Sequence, residues 1–413
     1  MSERALVPNE PVLKLGPSAL LLHCGMLATG LGMTLLGPIL PLVMADWGLR
    51  DSQGGLLLTA QFVGMSLGSV SISRELHKSL MVGILAALTG FAGLTVLAWA
   101  HGTMAVVKLA GACSFLFVAG FGLGLLITSV NLIAGARFTA KRGSGLSLLN
   151  FSWSVGAVLS PLLASWLGRR LPLWALLGGM TSVLVLVGLK ALQEYSLSTA
   201  VGCVPGTAMP DLSIIKGPPQ IQSAKGISAK TFSYFGAIFF LYGGVEGCMN
   251  GWLATYTLRY GGLGLSISET CVFLFWVSLT MGRALASLLL LHLTESTLQS
   301  VALALATLVI GALIFAHSVT AISICSVVIG LGLAPCFPAT LSLLVQRKPR
   351  PRQSAFALAL TAVGGAALSW AMGAASVRTH SLKTALLLPL ICSGILLVLC
   401  QSIGRAHQED LVT

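Results

Sequence analysis

The chain has 413 residues, 55% of them hydrophobic and only 9% charged, and its formal net charge is +12. A soluble domain carries about 25% charged residues, so this composition excludes a water-exposed globular fold, and the absence of period-two alternation excludes a membrane β-barrel. The positive balance is no nucleic-acid footprint, because the basic residues sit in short loops between apolar runs, where they report topology.

Residues 1–17 form a mixed tail with Pro8, Pro11 and Pro17 and no layout of a cleavable signal peptide. Six apolar runs follow, at 18–45, 54–73, 80–100, 104–136, 143–168 and 173–192. Each approaches or exceeds the roughly 20 residues that a helix needs to cross a bilayer. The first run contains His23, a proton-relay candidate whose favoured reading is a packed, hydrogen-bonded histidine, and then Pro38 and Pro41. Gly64-x-x-x-Gly68 in span 2 and Gly120-x-x-x-Gly124 in span 4 are small-residue faces suited to close helix contact. The polar stretch 193–230, with Pro205, Pro210, Pro218, Pro219, Lys216, Lys225 and Lys230, has the composition of a flexible linker.

Six more runs come after it, at 231–259, 266–292, 297–316, 319–346, 353–377 and 381–404, before a tail at 405–413. Span 10 contains Pro335 and Pro338, which fit either a cavity-lining helix or ordinary kinks. The sequence therefore predicts an all-α membrane protein of twelve helices in two six-helix bundles, 18–192 and 231–404. Of the 24 Lys and Arg residues, sixteen fall on the side of the termini and linker and seven on the other, which expects both termini and the linker in the cytoplasm and the bundle in an inner or plasma membrane. Arg283 is left within the membrane.

The two bundles repeat. Gly122-Leu-Gly-Leu125 recurs as Gly330-Leu-Gly-Leu333, and Val155-Gly156 as Val363-Gly364, both at an offset of 208 residues. Such a parallel repeat points to halves related by an axis along the membrane normal. The nine cysteines are scattered, form no CxxC pair, and read as small packing residues.

Chemistry concentrates in span 7, where Tyr242, Glu246 and Asn250 recur one turn apart on one face. A carboxylate at membrane depth costs roughly 2.5–3.5 kcal/mol and normally faces a partner or a water-filled cavity. Glu246 has two compatible readings: a group that binds solute or carries a coupling proton, and a partner of Arg283 in span 8, making a pair that gates as it breaks. Gln61, Asn131, Asn150, Trp153, Trp252 and Trp276 are the further candidates for a polar and aromatic wall. For each amide the alternative is an interhelical hydrogen bond, about 0.6 kcal/mol on average. Trp47 and Trp99 read as interfacial anchors. There is no HExxH or Walker A sequence, so neither an enzyme nor a nucleotide-driven pump is expected, and no cofactor is implied.

Four segments carry a resemblance. Span 7 reads Tyr242-Gly-Gly-Val-Glu246 and then Gly251-Trp252-Leu253-Ala254-Thr255-Tyr256; span 8 has Phe275-Trp276 and Gly282-Arg283. Span 10 reads Gly330-Leu-Gly-Leu-Ala-Pro335-x-Phe-Pro338, and span 5 Asn150-x-x-Trp153-x-x-Gly156-Ala157-x-x-x-Pro161. On these motifs the chain resembles the major facilitator superfamily, and within it the fucose–galactose–glucose:proton symporters. It departs from that pattern at Arg74-Glu-Leu-His-Lys78, where the superfamily has an Asp-Arg-x-Gly-Arg-Arg type run, and in spans 1 and 4, where His23 and Asn131 replace acidic residues. The resemblance implies the twelve-helix fold and alternating access. It also implies a small-molecule substrate, with a sugar as the expected class, moved with H+ by a monomer in the lipid bilayer. Glu246 and Arg283 would then act in coupling or gating, and Gln61, Asn131, Asn150, Trp153, Tyr242, Glu246, Asn250, Trp252 and Trp276 in binding. The alternative is an efflux transporter for amphipathic compounds; a non-transporting sensor would need a partner surface that only the linker could offer.

Overall fold

The computed structural model describes residues 17–73, 75–100, 102–137, 142–168, 170–200, 226–262, 265–290, 292–347 and 349–412. Residues 1–16 of the expected tail, the centre of the expected linker at 201–225, Arg74 and Cys203 lie outside them. The elements are helices throughout: α1 Ala19–Trp47, α2 Asp51–Val70, α3 Leu76–Trp99, α4 Ala105–Arg137, α5 Arg142–Leu167, α6 Leu173–Ala200 and α7 Ala229–Tyr260. They continue as α8 Leu265–Leu289, α9 Glu295–Ile314, α10 Val319–Leu333, α11 Cys336–Gln346, α12 Pro351–Thr379, α13 Leu382–Ala385 and α14 Leu387–Val412.

These fourteen segments make twelve crossings, because α10 and α11 together form one span and α13 and α14 another. The α10–α11 break falls at Pro335, which has no backbone N–H to continue the ladder, whereas Pro38 and Pro41 are absorbed inside α1. Hydroxyls start several helices: Ser18, Ser228, Thr294 and Ser318 each accept a backbone N–H of the first turn of α1, α7, α9 and α10. Two helices run further than the sequence suggested. α6 continues past 192 to Ala200, and α14 continues to Val412 through the stretch read as a tail. Neither extension contains a proline or glycine apart from Gly404, so nothing stops the helix.

Helix association in lipid gains little from the hydrophobic effect and depends on close packing. The two glycine pairs provide it. Gly64 and Gly68 of α2 lie on the backbone of Phe117 and Phe121 in α4, while Gly120 and Gly124 of α4 lie on that of Gln61 and Met65 in α2. At each, an added Cβ would overlap a main-chain carbonyl. The sequence repeat has the same meaning. Gly156 of α5 rests on the Leu27 carbonyl of α1, and its counterpart Gly364 of α12 on the Phe240 carbonyl of α7. Gly122 and Gly124 divide between α3 and α2, and Gly330 and Gly332 between α8 and α9. Between the halves α1–α6 and α7–α14 the α1–α5 contact thus recurs as α7–α12, while the span-4 and span-10 glycines face exchanged neighbours, Gly122 on α3 and its counterpart Gly330 on α8.

α6 stops and α7 starts at one end of the bundle, the linker end; the α1–α2 and α7–α8 turns lie at the other, the far end. Between the halves, α2 runs along α12, α5 along α8 and α1 along α7. The Thr59 hydroxyl donates to the Ala366 carbonyl at 3.0 Å, and Ser66 to that of Ala359 at 3.3 Å. Gly37 of α1 meets the Asn250 carbonyl of α7. At the far end the Arg259 guanidinium donates to both carboxylate oxygens of Asp51, at 2.6 and 2.5 Å, and Ser376 donates to one of them at 2.6 Å. That cluster ties α2 of one half to α7 and α12 of the other. Trp99 is 63% exposed, as an interfacial anchor should be, but Trp47 is 4% exposed. It is enclosed by the first half, with the Lys108 ammonium 5.8 Å from its ring, because the α1–α2 turn folds it inward.

Gly120→Ala is expected to lower stability by roughly 1–3 kcal/mol through overpacking. Gly179→Ala, where an added Cβ meets nothing within 4 Å, should leave it unchanged or slightly raised. The check is thermal melting of the purified protein in detergent, and equal melting of the two variants would sink the backbone-contact account.

Candidate functional site

Among the described residues ten spans are long and apolar enough to cross a membrane by composition; α2 is not among them, and neither is α7. Its position explains this. From Phe235 to Thr257 nearly every residue is buried, so α7 is surrounded by helices and not by lipid. Gly243 and Gly247 bring α12 against one side of it, at the Thr361 carbonyl and at Gly365. The side that remains carries Tyr242, Glu246 and Asn250, one turn apart.

Glu246 is the centre of this face. Its Oε1 accepts the Tyr242 hydroxyl at 2.9 Å, and the Arg283 Nη2 of α8 lies 3.6 Å from the same oxygen. The side chains of Glu246 and Arg283 are 19% and 30% exposed, so the protein around this ion pair, in the middle of two transmembrane helices, does not seal it completely. Arg283 Nε is buried and has no hydrogen-bond partner, and neither does Thr280 Oγ1 on the same face of α8. The Tyr242 ring packs on Phe337 of α11, with centroids 5.9 Å apart.

One turn toward the far end, Asn250 Oδ1 accepts the Trp276 indole N–H at 2.9 Å. Trp276 meets Trp153 of α5 edge-on, with centroids 5.6 Å apart and planes at 73°. The Trp153 indole N–H in turn points to the Met33 sulfur of α1 at 3.3 Å. Asn250, Trp276, Trp153 and Met33 therefore form a chain that crosses from one half to the other, on the far-end side of Glu246. Asn150 lies one turn linker-ward of Trp153 and is exposed.

The structure thus brings together Tyr242, Glu246, Asn250, Trp153, Trp276 and Arg283 and leaves three candidates apart. Trp252 is fully buried, with its indole N–H on the Ser369 carbonyl of α12 at 3.1 Å. Gln61 donates to the Gly32 carbonyl of α1 at 3.0 Å, an interhelical bond. Asn131 donates to the Ile127 carbonyl of its own helix at 2.9 Å. His23 bonds Ser152 of α5 at 2.7 Å, the packed arrangement expected of it. A partly open cavity of about 20 Å³ beside Leu35, Leu57, Phe91 and Gln61 lies within the first half, with room for about one water, and no charged group lines it. Among the described residues no group of His, Cys, Asp and Glu is placed to hold a metal ion.

Sequence reasoning missed Thr280, Phe337 and the Asp51–Arg259–Ser376 cluster. Thr280 was legible, since it stands four residues after Trp276 and three before Arg283. Asp51 and Arg259 sit at helix ends, where a charge reads as loop or topology.

Residues 22–374 match the family model of the Major Facilitator Superfamily. A curated relative, the putative transporter svop-1 of Caenorhabditis elegans, is 28% identical over 171 residues, covering 40% of this chain and 32% of that protein. The match thus spans about a third of the relative. Among solved structures, a D-xylose-proton symporter superposes with a TM-score of 0.68 at 15% identity, over 92% of this chain and 96% of that one. The E. coli fucose:proton symporter FucP gives 0.54 at 16% identity, over 93% and 98%. At these identities the structures speak for the fold, and the family match for kinship. A bundle of two repeated halves, with an ion pair and facing tryptophans between them, is the body of a membrane carrier, and the chain belongs to the Major Facilitator Superfamily of transporters.

Proposed function

We propose that this transporter moves a small polyhydroxylated solute, a sugar or sugar derivative, together with a proton, by alternating access about the Glu246–Arg283 face. The observation that carries the reading is the incompletely sealed Glu246–Arg283 contact at 3.6 Å in the interior of the bundle. Such a pair is close enough to interact and loose enough to exchange partners. Tyr242, Asn250 and Asn150 offer donors and acceptors for hydroxyls, and Trp153 and Trp276 offer ring faces for C–H groups. Two structures with this fold are named as sugar–proton symporters, and the motifs of spans 5, 7, 8 and 10 resemble that branch.

The basic-residue bias supports a cytoplasmic linker end, with both termini there. In that orientation the Asp51–Arg259–Ser376 cluster and the Trp153–Trp276 contact close the outside, and Glu246 is reached from the cytoplasm. Turnover then requires Glu246 to take up and release a proton and the far-end cluster to open and reform. The protein works as a monomer, each half supplying one wall. A second reading, export of amphipathic compounds, draws on the aromatic share of the site: Trp153, Trp276, Tyr242 and Phe337.

Two experiments test this. The first is a thermal-shift screen of sugars, sugar acids and amphipathic drugs at pH 5.5 and 7.5. A ligand of the folded state at about 100 times its Kd adds about 2.7 kcal/mol. Binding that requires protonated Glu246 is present at low pH and lost as pH rises. The shift should therefore be larger at pH 5.5 in the wild type, and Glu246→Gln should erase the difference. Hits confined to amphipathic drugs would replace this reading with export, and an unchanged pH dependence in Glu246→Gln would remove Glu246 from coupling.

The second concerns the far-end cluster. Asp51→Asn removes two charge-assisted bonds, each about 1.5–3 kcal/mol. Spin labels at Arg50 and Arg378, both exposed and on opposite halves, should show a longer-distance population at least about tenfold larger than in the wild type. Identical distance distributions would mean that this cluster does not hold the halves together.

A further inference from the structure

We propose that the solute accepted at this site is a hydroxylated monoanion, of the sugar-acid or hydroxycarboxylate class, whose carboxylate takes Glu246's place on the Arg283 guanidinium when Glu246 is protonated. The proposal rests on the transport reading of the Glu246–Arg283 face and narrows it.

The first ground is hydrogen bonding. A guanidinium has five N–H donors and stays charged at every accessible pH. Arg283 reaches Glu246 through Nη2 at 3.6 Å, longer than a formed N–H···O bond, and its buried Nε has no partner. Its further side-chain contact is the Tyr242 hydroxyl, so part of its capacity to hold a carboxylate, the buried Nε included, is unused in this arrangement, and a fork-to-fork carboxylate would use it. Glu246 keeps a partner when it leaves Arg283, because the Tyr242 hydroxyl is bonded to the same Oε1.

The second ground is charge. Uncompensated charge at membrane depth is costly. Among the described residues of the helices packed on α7, α8 brings Arg283 and, fourteen residues nearer the far end, the buried Glu269 with Cys271; α11 brings Cys336, α10 brings Cys325, α14 brings Cys392 and Cys400, α12 brings Arg378 at its far-end terminus, and α1 brings Cys24, Asp46 at its far end, and His23, which bonds Ser152. α12 contributes hydroxyls and glycines along the shared face. Arg283 is thus the fixed charge at the level of Glu246. Empty and ionised, the pair is neutral. With Glu246 protonated and a neutral sugar bound, one positive charge is left over. With Glu246 protonated and a monoanion bound, the site is neutral again. One proton passes from the aqueous phase to a Glu246 carboxylate oxygen, the solute carboxylate pairs with Arg283, and both leave together on the other side. Both states able to cross are neutral, so the cycle is electroneutral. The rest of the wall suits a hydroxylated body: Asn250 and Asn150 for hydroxyls, and the Trp153–Trp276 pair for the carbon chain.

The test uses the full-length protein in liposomes, with D-gluconate, D-glucose and D-glucosamine as probes. The expected result is gluconate uptake driven by an acid-outside pH gradient and indifferent to a potassium–valinomycin potential, with proton entry seen by a trapped pH dye only when gluconate is added. Arg283→Gln should reduce that uptake by at least about tenfold, while Arg283→Lys, which keeps the charge and loses the fork, should retain part of it. Should Arg283→Gln not fold, the potential-independence of wild-type gluconate uptake carries the test alone. Glucose uptake driven by the membrane potential, with gluconate neither carried nor competing, would overturn the monoanion and leave proton-linked transport at this site standing. Uptake of none of the three probes, with no thermal shift from any, would overturn both.

Discussion

Contact between main chains through glycine is the constraint on which the molecule depends. In lipid the side chains of neighbouring helices gain little by leaving their surroundings, so association must come from close approach. Gly64, Gly120 and Gly124 bring α2 and α4 together, Gly156 brings α5 to α1, and Gly243 and Gly364 bring α7 to α12. Once α7 is enclosed in this way, a face bearing a phenol, a carboxylate and an amide no longer meets lipid. The same glycines that pack the bundle therefore make its polar interior tolerable.

α7 then carries two electrostatic contacts at different depths. Glu246 meets Arg283 within its own half, and Arg259 meets Asp51 of the other half. Thirteen residues separate them, about 20 Å along a helix axis. A rigid rod joins the group that exchanges partners with the group that holds the halves. Any tilt of α7 that follows rearrangement at Glu246 is delivered to Asp51 without an intervening relay. The Asn250–Trp276–Trp153–Met33 chain lies between the two and would have to part in the same movement.

Much of the architecture was legible because it follows from period and composition. The crossings show as apolar runs, the α2–α4 contact as two small-residue motifs, and the duplication as a shared offset at Gly156 and Gly364. The Tyr242–Glu246–Asn250 face was legible because spacing by four fixes a helix face, and Arg283 because charge is scarce at its depth. Trp252 and Gln61 show where that reasoning ends. Their polarity is consumed by carbonyls of α12 and α1, which only the packing reveals. Asp51 and Ser376 lie 325 residues apart and meet only because the halves are closed at the far end, a property of one posture that no local pattern encodes. Trp47 was misjudged for a similar reason: its place at a helix end says interface, and the turn after it folds the ring inward.

The far-end cluster is not sealed from water. The Asp51 side chain is 9% exposed, but Arg259 is 37% exposed. Mobile ions reach such a contact and weaken it, over a screening length of about 10 Å at 0.1 M salt. Glu246 and Arg283 are comparably exposed, at 19% and 30%, but they meet midway along their helices, where the carboxylate has a second partner in the Tyr242 hydroxyl. The far-end contact therefore answers to ionic strength and, on the transport reading proposed above, the mid-bundle contact answers to solute and protons. On that reading, with the far end outside, the carrier rests further open to a saline exterior than to a dilute one, so that the composition of the bathing fluid becomes a setting on how long it waits for its cargo.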